Sequence, residues 1–206
     1  MNTDVRTAQE DLAFLRALVE RPPETAGAWA EGYFAAGLIY GGQMLMHAAQ
    51  ALGLLPTSGL PALAIGVGPT LVFLPTIAWM SWRRRRDKPP AAAGRAIAAV
   101  FGAIGLANLA LIIIIGSVAL QQKSLATWLI YPACVFVLQG AAWMVAYAMR
   151  RRRWLALVAV GWFGFAIAMG FTVERLGLYV LFCGLGIWTC MALPGWLMMR
   201  GVAKAA

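Results

Sequence analysis

Charge is the scarcest thing in this sequence. Only 12% of its 206 residues are Asp, Glu, Lys or Arg, about half of what a soluble domain carries. Acidic residues are rarer still, eight in all, and none falls in the middle of an apolar run. That removes the buried carboxylate on which proton- or sodium-coupled transport usually depends. There is one histidine, His47, too few for bis-histidine haem ligation within one chain or for a histidine-rich metal site. The three cysteines, Cys134, Cys183 and Cys190, all lie in apolar stretches with neither a CxxC nor a zinc spacing, and read as small buried apolar residues. No serine–histidine–carboxylate set, HExxH or glycine-rich phosphate loop is present, so neither catalysis nor a cofactor is expected. The chain does not open with a short apolar core and a small-residue cleavage site, so no cleaved signal peptide is expected.

What is abundant is apolar surface: 62% of the residues are hydrophobic and the mean hydropathy is +0.74. The apolar runs are about 20 residues long and lack period-two alternation, which selects membrane-spanning helices over barrel strands. The expected fold is an all-α integral membrane protein with six transmembrane helices, arranged as three helical hairpins behind a short cytoplasmic amphipathic helix. The spans are placed at about 28–52, 59–82, 96–120, 125–149, 154–173 and 178–199, within a transmembrane domain of residues 26–206.

Residues 1–25 differ in kind. Val5, Ala8, Leu12, Leu15 and Val19 keep a three–four alternation while Asp4, Glu10, Asp11 and Arg16 occupy the other faces, so an amphipathic helix is expected, stopped by Pro22 and Pro23. Five acids against three arginines make this segment net acidic, which disfavours adhesion to anionic lipid. Leu12, Leu15 and Val19 are therefore candidate contacts for the protein's own bundle, a second copy in a homo-oligomer, or a cytoplasmic protein partner.

The formal net charge is +9, but its carriers sit in runs beside the apolar spans: Arg83–Arg86 with Lys88, Arg150–Arg153, and Arg200 with Lys204. The intervening short loops hold only Lys123 and Arg175 as basic residues. The positive-inside rule explains this placement without nucleic acid, and puts both termini in the cytoplasm. The arginine bias and abundant alanine fit a bacterial inner (plasma) membrane.

Each even-numbered span contains proline (Pro69 and Pro75, Pro132, Pro194) and tryptophan before its basic run, which suggests a repeated hairpin. One polar stripe stands out. Tyr33, Tyr40, Gln43, His47 and Gln50 recur at helical spacings along the first span, whose glycines Gly37 and Gly41 form a GxxxG suited to close packing. Few other polar groups are buried: Asn108, Tyr131 and Gln139. Tyr40, Gln43, His47, Asn108, Tyr131 and Gln139 are thus the candidate ligand-binding set for a small neutral, lipid-like or quinone-like molecule, or a transported solute. The competing expectation is interhelical hydrogen bonding. The functional expectation is a non-enzymatic membrane-embedded regulator, sensor or assembly subunit that binds a partner through its N-terminal helix.

Overall fold

The computed structural model describes residues 26–83 and 92–203, with side chains described over 30–83 and 96–201. The expected N-terminal helix, with Leu12, Leu15 and Val19, lies outside the described residues. Among the described residues there is no strand. The helices are α1 (Ala26–Ala51), α2 (Gly59–Arg83), α3 (Ala92–Gln122), α4 (Leu125–Arg150), α5 (Arg153–Phe171), α6 (Leu176–Ile187) and α7 (Leu193–Ala203). A π-helical turn, Trp188–Ala192, joins α6 to α7 without a break, so these three form one long helix.

Five helices are long and apolar enough to cross a membrane: α2, α3 over Ala96–Gln122, α4, α5, and the α6–α7 helix over Leu176–Gly201. The chain is thus built as a multi-pass membrane protein. The first helix is not among the five. It has the length, 26 residues, but Glu31, Gln43, His47 and Gln50 reduce its hydropathy.

The turns between helices are short and locally determined. Gly53 and Gly59 adopt positive φ of 75° and 73° at the two ends of the α1–α2 loop, a conformation in which a side chain would clash. Ser124 caps α4, its hydroxyl accepting the Thr127 amide at 3.2 Å. Arg151 closes α4 in the left-handed region, at φ 54°, with its N–H donating to Tyr147 O at 2.7 Å.

Packing centres on α1 and the α6–α7 helix. A Cβ added to Gly37 would meet the Ala192 backbone nitrogen at 2.4 Å, and one on Gly195 would meet that of Phe34 at 2.6 Å. Gly41 faces the Trp188 ring and Gly184 faces Leu45 in the same way. Contacts 34–195, 37–192, 41–188 and 45–184 step up one helix as they step down the other, so the two run antiparallel along a single seam. The seam needs glycine because backbones at this separation leave no room for a side chain. Next in order, α5 packs on α6 and the π turn, where Gly161 faces Cys190 Sγ; α4 packs on α5, and α3 on α4. The buried core is aromatic: Tyr33, Phe136, Trp143, Trp162 and Tyr179, with Met169, Cys183 and Cys190.

Two helices stand apart from this core. No residue of α2 is buried, and α3 buries only Ile97 and Ala119 among its described residues. Each touches its neighbour along one stripe and turns the rest of its apolar circumference outward, with Leu60 81% and Leu106 71% exposed. An apolar surface of that extent is at home in lipid or against another protein, not in water.

Candidate functional site

From Tyr40 to Gln50 the polar face of α1 is turned to α2 and its loop, while Tyr33, at the other end of the stripe, is turned to α4. Gln43 is 7% exposed, and its side-chain amide donates to Ile65 O at 3.1 Å and Gly66 O at 2.9 Å. The reason lies four residues downstream. In a regular helix the Ile65 carbonyl would accept the N–H of residue 69, but residue 69 is proline and has none. A bare carbonyl inside an apolar helix is unfavourable by several kcal/mol in hydrocarbon. Gln43 supplies the missing donor from the neighbouring helix. Because both its partners are carbonyls, its –NH₂ must point at them.

The rest of that seam follows the same direction. Tyr40 packs edge-on against Phe73 with ring centroids 5.1 Å apart, Gly32 gives room to Ile77, and Arg83 donates to Glu31 at 3.2 Å. At the other end, His47 Nδ1 lies 2.8 Å from Gln50 Oε1, while Gln50 Nε2 donates to Pro56 O in the α1–α2 loop. Since the Gln50 amide nitrogen is donating, its oxygen must accept, so the His47 proton sits on Nδ1. This leaves Nε2 outside the chain of bonds that ties helix to loop.

The other candidates sit elsewhere. Tyr131 stacks on Trp128, with centroids 5.6 Å apart and planes at 29°, and Trp128 in turn covers Gly116 of α3. Asn108 and Gln139 lie on the adjacent helices α3 and α4. The Oδ1 of Asn108 and the Oε1 of Gln139 are both buried without a hydrogen-bond partner. The six candidates therefore divide into two groups: Tyr40, Gln43 and His47 on the α1–α2 side, and Asn108, Tyr131 and Gln139 on α3 and α4. Among the described residues no hydrogen bond or ring contact joins the groups. The first is engaged by α2 and the α1–α2 loop through the Tyr40 ring, the Gln43 amide and His47 Nδ1. The second retains two unused acceptors, each able to accept a hydrogen bond from a water, a hydroxyl or an amide.

A third polar feature escapes the sequence. Trp143 is fully buried and its indole N–H donates to Tyr33 OH at 2.7 Å. Around it, Tyr33, Phe101 and Trp154 pack edge-on, the Trp143–Trp154 centroids 5.8 Å apart. Trp143 reads as one of the belt tryptophans before a basic run. The belt role does fit Trp79 and Trp196, whose rings lie 5.0 Å from the Arg83 and 3.6 Å from the Arg200 guanidinium carbon. Depth distinguishes them: Trp79 and Trp196 precede their arginines by one helical turn, Trp143 precedes Arg150 by two.

Among the described residues no group of three or more His, Cys, Asp or Glu side chains is placed to hold a metal ion. Comparison with protein-family models, curated proteins and solved structures yields no match to this chain.

Proposed function

We propose that this chain is a non-enzymatic protein of a bacterial inner membrane, a regulator, sensor or assembly subunit that works by binding another protein. In this reading α1 is a sixth span, the helices pair as three hairpins, and both termini lie in the cytoplasm with the arginine runs. Residues 1–25 form the acidic amphipathic helix that takes the partner, through Leu12, Leu15 and Val19. The supporting observation is that Gln43, Tyr40 and His47 are engaged by α2 and its loop, so this part of the polar stripe serves to hold the helices together. Removing residues 1–21 from a tagged chain tests it. The truncated protein inserts normally and loses the partner that co-purifies with the full chain; undiminished recovery of that partner refutes the reading.

A second reading rests on Asn108 and Gln139. Two buried carbonyl oxygens without donors, on a helix pair whose outer member faces outward, suit a lipid- or quinone-like molecule that brings a hydroxyl. Mass spectrometry of the purified protein finds such a molecule, and Asn108→Leu with Gln139→Leu removes it. Transport through this region predicts solute uptake into liposomes that the same pair of substitutions slows. A protein that purifies empty and moves nothing excludes both versions.

A further inference from the structure

The geometry points to a docking place on this chain for its own acidic N-terminal segment: the arginine turn between α4 and α5. The inference rests on the reading of residues 1–25 as a docking helix and adds where that helix sits when no partner holds it.

Position comes first. The α1 helix is antiparallel to α6; α5 is antiparallel to α6, since Gly161 faces Cys190 while Phe165 faces Gly186; and α4 is antiparallel to α5. The first and fourth helices therefore run in opposite directions. They meet where Trp143 donates to Tyr33 OH. Ala26 stands seven residues before Tyr33 and Arg150 seven residues after Trp143. At 1.5 Å per residue both lie about 10 Å beyond the shared contact, on the same side of it. The start of α1, where residues 1–25 join the bundle, is level with the arginine turn and one helix contact away.

Charge comes second. Arg150, Arg151, Arg152 and Arg153 are all exposed, and the link between the helices is so short that the four are gathered at one point. Among the described residues no ion pair or side-chain hydrogen bond engages them. Of the eight acidic residues, Glu31 pairs with Arg83, Asp87 belongs to the basic run 83–88, and Glu174 is in the loop at the opposite end, while five (Asp4, Glu10, Asp11, Glu20, Glu24) belong to residues 1–25. Glu20 and Glu24 lie within about 20 Å of extended chain from Ala26, so the tether reaches. Carboxylate–guanidinium pairs are the natural use of such a turn. A partner that binds the apolar stripe would displace the segment and free the arginines, which couples partner binding to exposure of a basic surface.

Zero-length cross-linking of the full chain tests this. In nanodiscs of phosphatidylcholine alone, Arg152→Lys keeps the charge and introduces an amine that a carbodiimide joins to a neighbouring carboxylate. Docking gives a link from position 152 to one of the five N-terminal acids, within one chain in mixed heavy- and light-isotope samples. The yield falls at least fivefold in 0.5 M salt, and Lys123 at the opposite end links to none of them. No link, a link that ignores salt, or a heavy–light link overturns the proposal. As a second measurement, a nitroxide at Gln9→Cys moves at least threefold faster when Arg150 to Arg153 are all changed to Gln; unchanged motion overturns it too. Disappearance of the link in discs one-third phosphatidylglycerol assigns the turn to lipid phosphate instead. All these measurements are made without partner, so their failure leaves the co-purification test standing, and failure of that test leaves these unaffected.

Discussion

The Gln43 bridge can be tested quantitatively because its acceptor exists only through a proline. Gln43→Leu keeps the volume of the side chain and removes both donors, to Ile65 O and Gly66 O. Interhelical hydrogen bonds in membrane proteins average about 0.6 kcal/mol and reach about 1.7. Two of them give roughly 1.2 kcal/mol at the mean, and a value toward 2 is expected here because one carbonyl has no helical donor to fall back on. The companion substitution is Pro69→Ala, which returns an N–H to the helix and lets Ile65 O bond within α2. In that background Gln43→Leu removes only the Gly66 bond, and its effect falls by about 0.6 kcal/mol or more, a coupling a double-mutant cycle isolates. Reversible unfolding in mixed micelles measures all four proteins. If Gln43→Leu lowers stability by less than about 0.3 kcal/mol, or if its effect is the same with and without Pro69, the bridge is not what holds α2 to α1.

Other positions give sharper contrasts. Gly37→Val and Gly195→Val each force a side chain against backbone atoms under 3 Å away and should destabilise by about 3 kcal/mol, the upper end of what overpacking costs, by unfolding assay, whereas Gly66→Ala, with open space around it, should be near neutral. Tyr33→Phe removes the bond that the buried Trp143 indole donates to the Tyr33 hydroxyl and should lose about 1–2 kcal/mol, with a shift in tryptophan fluorescence that the same change at Tyr40 does not produce. His47→Ala frees Gln50 and should raise amide exchange in residues 52–58 severalfold while the α1–α6 seam stays protected, as hydrogen-exchange mass spectrometry can show.

Hydropathy marks five of the helices, α1 excepted, because in lipid every backbone group must bond within its own segment. It says much less about which helix lies beside which. A helix apolar all round has no direction, and α3 is nearly so: apart from Asn108 nothing in its central stretch points anywhere. The glycines of the first helix are legible as a close-packing pair, yet that they meet Trp188 and Ala192 follows from a backbone approach no side-chain pattern encodes. The polar stripe was visible and so were the prolines. Their connection was not, since the acceptors that Gln43 finds are backbone carbonyls, which every residue carries and only the fold selects. Trp143 misleads for a related reason: a tryptophan near a basic run has the same composition whether it lies at the lipid boundary or two turns deep.

The prolines are where these observations meet. Each makes a defect in its own helix, and around Pro69, Pro132 and Pro194 the neighbouring bonds differ. Pro69 strips Ile65 of its donor, and Gln43 of α1 fills the gap. Pro132 strips Trp128, and at the next carbonyl, Leu129, the buried Tyr179 hydroxyl of α6 donates across the bundle. Pro194 follows directly on the π turn, where Leu193 N–H reaches back five residues to Trp188 O, so there the long helix accommodates the missing donor by changing its own winding. At Pro69 the defect itself thus becomes a fixed point between helices, and one residue from the carbonyl freed by Pro132 a side-chain bond crosses the bundle, in a medium where apolar contact by itself gives no pairing preference. The recurrence of the prolines in alternate spans looks like a repeat in the sequence. In the folded chain Pro69, Pro132 and Pro194 have different surroundings. Whether they descend from one hairpin or arose separately, the Pro69 site supplies directional bonding that holds α2 to α1, and the Tyr179–Leu129 bond beside Pro132 ties α4 to α6.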